Sequence, residues 1–124
     1  MTETAGTGSA DPGLFARTWR LSNPGYPDRS ALSALVEVVV PEIEALEGYR
    51  GGNIMVDRNG GDIYATTFWD TMEHLRAAHD KATNAAAGLL VISNGAAMEH
   101  RICDVVLSTP VPRVVNTDLG PGQA

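Results

Sequence analysis

The chain has 124 residues, of which 44% are hydrophobic, and it carries a net charge of −6. This length suits one domain with a single core, and therefore one functional site per chain or one shared between chains. The nine Lys and Arg residues are too few for a nucleic-acid-binding surface, and the negative charge disfavours binding to anionic membranes. We therefore expect neither a nucleic-acid nor a membrane partner.

Cysteine content and the N-terminal segment narrow the class further. Cys103 is the single cysteine, which excludes an intrachain disulfide and a thiolate metal cluster. It lies in a predicted strand, and we expect it to be a small buried side chain. Residues 1–10 lack the basic and apolar regions of a signal peptide, and no apolar run reaches membrane-spanning length. We expect a cytoplasmic protein.

Composition divides the chain into three parts. Residues 1–12 and 109–124 are rich in Gly, Pro, Thr and Ser, with little apolar periodicity. Residues 1–12 are therefore predicted to be a flexible tail, and 109–124 a C-terminal extension. The folded domain is predicted to be residues 13–108.

The first predicted elements are a strand and a helix. Residues 14–21 alternate, with Phe15, Arg17, Trp19 and Leu21 on one side and Leu14, Ala16 and Thr18 on the other. We expect surface roles for Arg17 and Arg20. Apolar residues at helical spacing follow: Leu32, Leu35, Val36, Val39, Ile43 and Leu46. The helix is predicted to begin after a cap at Asp28 or Ser30, to kink near 37–40 because of Pro41, and to end at Gly48.

A hairpin and a second helix come next. Two apolar runs are joined by Asn59-Gly60, a pair that tolerates the positive φ of tight hairpin turns. Asp70 and Glu73 form the pattern of a capping box for a helix starting near Thr71. Its apolar face continues to about residue 89, with Gly88 as a weak point.

A fourth strand is predicted over residues 99–108. The order is therefore βαββαβ, a ferredoxin-like α+β fold with four antiparallel strands and both helices on one face of the sheet. Each strand carries apolar residues on both of its sides, so the uncovered face would be an apolar patch. A homodimer joined through the sheet faces would cover it.

Two motifs carry a family resemblance. The segment Leu46-Glu-Gly-Tyr-Arg-Gly-Gly precedes the second strand, and Thr66-Thr-Phe-Trp-Asp-Thr-Met-Glu-His-Leu spans the end of the third. Over residues 13–108, the chain resembles the antibiotic-biosynthesis monooxygenase-like family of the dimeric α+β barrel superfamily. Such motifs specify fold more tightly than function.

The resemblance implies cofactor-free oxidation of a small aromatic or quinone-like molecule by O₂. The pocket would lie between sheet and helices. Trp69 matches the family's Trp, while Ala65 occupies the position of an Asn four residues earlier. Trp69 and His79 are the predicted catalytic residues. The predicted substrate-binding residues are Thr18, Tyr64, Phe68 and Leu75.

Two alternatives remain open from the sequence. In heme-degrading members, a Trp matching Trp69 cooperates with an iron-ligating His in the second helix and an Asn in the first strand. Heme is thus the alternative cofactor, with His79 as the iron ligand. The strand-one counterpart falls near Thr18, which lacks the amide. In the second alternative, the chain is a non-catalytic dimeric ligand-binding or stress-associated module. His100 would point into the same cavity or bind a cross-strand polar partner.

Overall fold

The fold is an antiparallel sheet with helices on one side. The computed structural model describes residues 13–22, 29–81 and 98–116. The strands are β1 (Phe15–Leu21), β2 (Tyr49–Val56), β3 (Ile63–Trp69) and β4 (Met98–Asp104). They pair in the order β2-β3-β1-β4, every neighbour antiparallel. This confirms the predicted ferredoxin-like α+β class.

The fourth strand is shorter than predicted. It ends at Asp104 rather than at residue 108. The Val105 N–H still donates to the Leu14 carbonyl at 3.1 Å, but β1 begins at Phe15 and offers no further partner. Residues 109–116 therefore run outside the sheet without regular structure.

The first helix contains the irregularity that Pro41 predicted. It consists of α1 (Arg29–Ala34), a π-helical stretch (Leu35–Val39) and α2 (Val40–Glu44). The Val40 N–H donates to the carbonyl of Leu35, five residues earlier, which is the π pattern. Pro41 has no N–H to donate, so the regular ladder is interrupted there in any case.

The predicted end of this helix is wrong, and of its two predicted caps the described residues test only Ser30. Ser30 lies inside α1 rather than capping it, and Asp28 lies outside the described residues. The helix ends at Glu44, four residues before Gly48, and Gly48 instead has a φ of +85° in the turn before β2. A Cβ at Gly48 would lie 2.5 Å from Asp70 Oδ1 and from two His74 side-chain atoms, so this turn requires glycine.

The hairpin between β2 and β3 is longer than the predicted two-residue turn. Asp57 Oδ1 accepts the N–H of Asn59 at 2.8 Å and that of Gly60 at 3.3 Å, while the Asp57 N–H donates to the Asp62 carbonyl at 2.8 Å. The positive φ, +82°, falls at Gly61. The prediction that Asn59-Gly60 forms a tight turn is therefore wrong, because the Asp57 side chain organises a wider loop.

Helix α3 spans Met72–Ala77 and is capped by Thr71. The Thr71 Oγ1 accepts the N–H of His74 at 3.0 Å, and Thr71 has extended backbone angles. The predicted capping residue, Asp70, instead directs its carboxylate to the His74 ring. The predicted continuation of this helix beyond residue 81, with Gly88, lies outside the described residues.

Replacing Thr71 by Ala is expected to lower the free energy of unfolding by about 1 kcal/mol, because the helix loses its side-chain cap. Thr71→Ser keeps the hydroxyl and should stay close to the wild type. Urea unfolding of the three proteins measures the difference. Equal stability of the Thr71→Ala variant and the wild type would show that the cap contributes nothing.

The core lies between the sheet and the helices. Buried side chains from both layers form one cluster, whose members are Trp19, Leu21, Leu35, Ile43, Ile63, Trp69, Leu75 and Ala78. Side chains alternate along a strand, so the residues paired with this cluster define a helix-facing side: Phe15, Arg17, Trp19, Leu21, Ile63, Ala65, Thr67 and Trp69. Their neighbours define the outer face: Ala16, Thr18, Arg20, Tyr64, Thr66 and Phe68. Over the described ranges, every helix is too short or too polar to cross a membrane.

Candidate functional site

The most unusual side chain on the helix-facing side is Arg17. It is only 3% exposed, so the surface role predicted for it is wrong. Its NH1 donates to His100 Nδ1 at 3.2 Å, and its Nε is buried without a hydrogen-bond partner. Among the described residues, no carboxylate forms a salt bridge with it, and residues 82–97 contain no Asp or Glu. Within the described part of the chain, Arg17 is a buried cation without an anion.

His100 links Arg17 to the helical layer. A guanidinium only donates, so His100 Nδ1 must accept and the neutral ring carries its proton on Nε2. This confirms the cross-strand polar partner predicted for His100. The His100 ring centroid lies 5.9 Å from that of His79, with the ring planes inclined by 60°. His79 is in the helical residues 79–81 that follow α3.

Two further buried nitrogens among the residues that the structure describes have no partner. They are Nε1 of Trp19 and Nδ1 of His79. Trp19 lies directly opposite His100 in the sheet register, and Arg17 Cζ lies 6.0 Å from the Trp19 ring centroid. We call Arg17, Trp19, His79 and His100 the donor cluster.

The donor cluster is energetically unfavourable on its own. Each buried polar group without a partner costs about 1–3 kcal/mol, and more when it is charged. Burial lowers the pKa of Arg17 from its ordinary value, yet a guanidinium stays protonated in proteins. The site therefore offers a fixed positive charge and several N–H groups to an acceptor. Ligand oxygens or buried water can supply that acceptor.

The structure does not bring the six predicted site residues together. Trp69 and Leu75 belong to the buried core, and His79 joins the donor cluster above the same side of the sheet. Thr18, Tyr64 and Phe68 lie on the outer face. Those three side chains cannot line a pocket between sheet and helices, so that part of the prediction is corrected by strand alternation.

Trp69 is placed at the end of β3 as predicted, but its indole is already engaged. It is 1% exposed, and Nε1 donates to Thr67 Oγ1 at 2.9 Å. Its ring packs against Tyr49 edge to face, with centroids 5.7 Å apart and an interplanar angle of 83°. These contacts are those of a packing anchor.

The surroundings of His79 do not fit a heme ligand. An axial histidine needs a wide, flat space beside its coordinating nitrogen for the porphyrin. Beside His79 lies the His100 imidazole, which is in turn bound to Arg17. His79 therefore lies beside polar, hydrogen-bonding side chains rather than the apolar side chains that pack on a porphyrin. Within the described ranges, no group of three or more His, Cys, Asp or Glu side chains is arranged to hold a metal ion.

A second polar group lies at the start of α3, away from the donor cluster. His74 Nδ1 and Asp70 Oδ1 are 2.6 Å apart, Glu47 Oε2 lies 3.4 Å from His74 Nε2, and Arg50 NH2 lies 3.6 Å from Asp70 Oδ2. The hydrogen bond with Asp70 raises the pKa of His74, and the same bond lowers the pKa of Asp70. This arrangement fastens the turn at Gly48 to the helix.

The Asp70–His74 pair should make stability depend on pH. The raised pKa of His74 adds stability below its ordinary pKa of 6.5, and this is lost as pH rises through the folded-state value. The lowered pKa of Asp70 adds stability above 3.8, and this is lost as pH falls. The melting temperature of His74→Ala should therefore fall further below the wild type at about pH 5.5 than at about pH 9. A difference independent of pH would contradict this role.

Sequence reasoning missed three of the four donor-cluster residues as site residues, Arg17, Trp19 and His100. A signal for Arg17 was present, because it shares one side of its strand with Phe15, Trp19 and Leu21. A charged residue within an apolar alternation is a departure from pattern. The pairing of β1 with β4, which brings Arg17 to His100, is set by the tertiary fold.

Comparisons with known proteins agree with this fold. No protein-family model matches the sequence. The chain is 34% identical over 70 residues to uncharacterized protein Rv2557 of Mycobacterium tuberculosis (strain ATCC 25618 / H37Rv), a match covering 56% of this chain and 31% of that protein. It is 36% identical over 68 residues to uncharacterized protein Rv2558 of the same strain, covering 55% and 29%. The chain thus matches less than a third of the length of these relatives.

Solved structures show the same architecture. SnoaB, a cofactor-independent oxygenase from Streptomyces nogalater, superposes with a TM-score of 0.60 at 12% identity, covering 80% of this chain and 99% of that one. The ActVA-Orf6 monooxygenase of Streptomyces coelicolor, in complex with nanaomycin D, gives 0.58 at 13%, covering 82% and 95%. Rv0793 from Mycobacterium tuberculosis gives 0.58 at 17%, covering 79% and 100%. This chain therefore has the fold of these three proteins.

Proposed function

We propose that the protein is a cofactor-free monooxygenase that oxidises a phenol with O₂ at the donor cluster. This proposal rests on three buried nitrogens on the helix-facing side that have no hydrogen-bond partner. Arg17 Nε and Trp19 Nε1 carry N–H groups that can donate to a ligand oxygen, and His79 Nδ1 can accept a proton. The fold supports the reaction class, because SnoaB is a cofactor-independent oxygenase. A phenolate oxygen is a strong acceptor for such donors.

The reaction balances without a metal or organic cofactor. A phenol with a hydrogen on the ring carbon para to its hydroxyl loses that hydrogen and the hydroxyl proton. The ring carbon takes one oxygen atom of O₂, and the other oxygen leaves as water with both hydrogens. O₂ accepts four electrons in all. Two come from hydroxylation of the phenol to a hydroquinone, and two come from oxidation of that hydroquinone to the quinone. For 1-naphthol the product is 1,4-naphthoquinone.

The residues have distinct roles in this proposal. His79 Nδ1 takes the phenol proton as general base, which produces the electron-rich phenolate that reacts with O₂. Arg17 and the Trp19 N–H stabilise the negative oxygen in a water-poor interior, where such interactions are strong. Residues of the helical layer exclude solvent.

Trp19 also compensates for a difference from the family resemblance. The family pattern has an Asn where this chain has Ala65. Ala65 lies on the helix-facing side directly opposite Trp19 in the β1–β3 register. The indole N–H of Trp19 thus lies across from the position whose amide is missing, and we assign it the hydrogen-bonding role of that amide.

A homodimer through the outer face of the sheet completes the proposal. Met55 lies opposite Tyr64 on the outer face and is 55% exposed, and Tyr64 and Phe68 on the same face are half-buried. A second copy would remove this apolar surface from water. Size-exclusion chromatography with light scattering tests it, since a monomeric mass at micromolar concentration would contradict the dimer.

The activity is tested by oxygen uptake in the presence of EDTA, with 1-naphthol and 1-hydroxy-2-naphthoate as probes. We expect one O₂ consumed per quinone formed, and His79→Gln should lower kcat by about 10²–10⁴-fold because the general base is lost. His74→Ala is the matched control, since His74 lies outside the donor cluster. Failure of both probes, or unchanged kcat in His79→Gln, would reject the proposal.

A further inference from the structure

The charge of Arg17 goes beyond what a neutral phenol requires. A phenol could be held by the N–H groups of Trp19 and an imidazole alone. A buried cation costs several kcal/mol unless a negative charge accompanies it. Among the described side chains Arg17 is hydrogen-bonded only to His100, and residues 82–97 contain no Asp or Glu. A negatively charged group on a ligand can supply the missing anion.

We infer that Arg17 binds a carboxylate on the substrate, so that the site selects hydroxylated aromatic acids over neutral phenols. This inference rests on the proposed function and adds the class of substrate. Arg17 Nε is free, and NH1 is already fixed by His100 Nδ1 at 3.2 Å. A guanidinium held at one corner presents its remaining N–H groups in a fixed fork, the geometry that suits a carboxylate.

His100 positions this fork. Its Nδ1 accepts from Arg17, which fixes the plane of the guanidinium, while its ring lies against that of His79. The carboxylate and the reacting hydroxyl of one ligand would then be placed on adjacent members of the donor cluster, with Arg17 binding the first and His79 the second. Aromatic acids with a hydroxyl ortho to the carboxylate have this spacing.

Binding is measured anaerobically, so that no turnover intervenes, with 1-hydroxy-2-naphthoate and 1-naphthol as a matched pair. We expect the wild type to bind the acid at least about tenfold more tightly, as one charge-assisted pair provides. In Arg17→Met the ratio of the two affinities should fall to about one. Arg17→Lys keeps the charge without the fork and should retain part of the preference.

Arg20→Met is the control variant. It removes the same charge from a position three residues further along the same strand, but Arg20 lies on the outer face and pairs with Asp62 at 3.0 Å. It should keep the full preference for the acid. Equal binding of the two probes by the wild type, or a preference that survives in Arg17→Met, would overturn the inference.

The two proposals fail in different ways. Preference for the acid that depends on Arg17, without oxygen uptake by either probe, would reject the monooxygenase activity and leave the acid-binding site. Oxygen uptake with equal kcat/KM for acid and phenol would reject the acid-binding site and leave the activity. Binding of neither probe would overturn the inference directly.

Discussion

Replacing Trp69 by Ala is expected to lower the free energy of unfolding by about 3–5 kcal/mol, the usual cost of removing a fully buried Trp or Phe side chain. Trp69 is among the largest fully buried side chains, and it contacts β2 through Tyr49 and its own strand through Thr67. Much of the stability of a domain of this size would be lost. Urea unfolding followed by circular dichroism measures the change.

Trp69→Phe separates packing from catalysis. It keeps an aromatic ring at the core and removes the N–H that donates to Thr67, so we expect a loss of about 1–2 kcal/mol. Turnover of 1-naphthol by the folded variant should match the wild type, since the Trp69 N–H is occupied by Thr67. A folded Trp69→Phe variant with strongly reduced kcat would instead restore the catalytic role that the family resemblance implies.

Replacing Arg17 by Met should have the opposite effect on stability. We expect the free energy of unfolding of the ligand-free protein to rise by about 1–3 kcal/mol, because an unpaired buried cation is exchanged for an apolar side chain of similar length. Thermal unfolding should show this as a higher melting temperature, by roughly 4–8 °C per kcal/mol for a domain of this size. A residue retained at a cost to stability is typical of a binding site.

Arg20→Met provides the comparison for this effect. Arg20 is exposed and its ion pair with Asp62 is at the surface, so its replacement should change stability by less than about 1 kcal/mol. If Arg17→Met were the less stable protein by a similar margin, Arg17 would be a structural residue. The assignment of the donor cluster as a site would then lose its energetic basis.

Most of the fold was predictable because it follows from local patterns. Alternation in residues 15–21 and 63–69, helical spacing around Leu35 and Ile43, and the interrupting Pro41 gave the element order and type. The errors fell where a side chain competes with the backbone. Asp57 widens the hairpin loop, and Thr71 rather than Asp70 caps α3. Several residue types suit such positions equally, so their choice depends on tertiary contacts such as that between Asp70 and His74.

The site was less predictable, for two physical reasons. Successive side chains of a strand point to opposite faces of the sheet. Tyr64 and Phe68 are even-numbered and Trp69 is odd-numbered, so the sequence alone places them on opposite faces once the strand is accepted. The partners of Arg17 and His79 depend instead on a long-range contact. Arg17 meets His100, which lies 83 residues further along the chain. His79 was predicted, but its companions in the donor cluster required the register of β1 with β4.

We expect ligands to bind at Trp19 and its neighbours rather than at Trp69. The chain contains two tryptophans, so ¹⁵N-labelled protein gives two indole N–H signals, which Trp19→Phe assigns. We would titrate the wild type anaerobically with 1-hydroxy-2-naphthoate and follow both signals. We expect a saturable downfield shift of the Trp19 signal, because its unpartnered N–H gains an acceptor, and a nearly unchanged Trp69 signal. A shift confined to Trp69, or no shift of either signal, would contradict it.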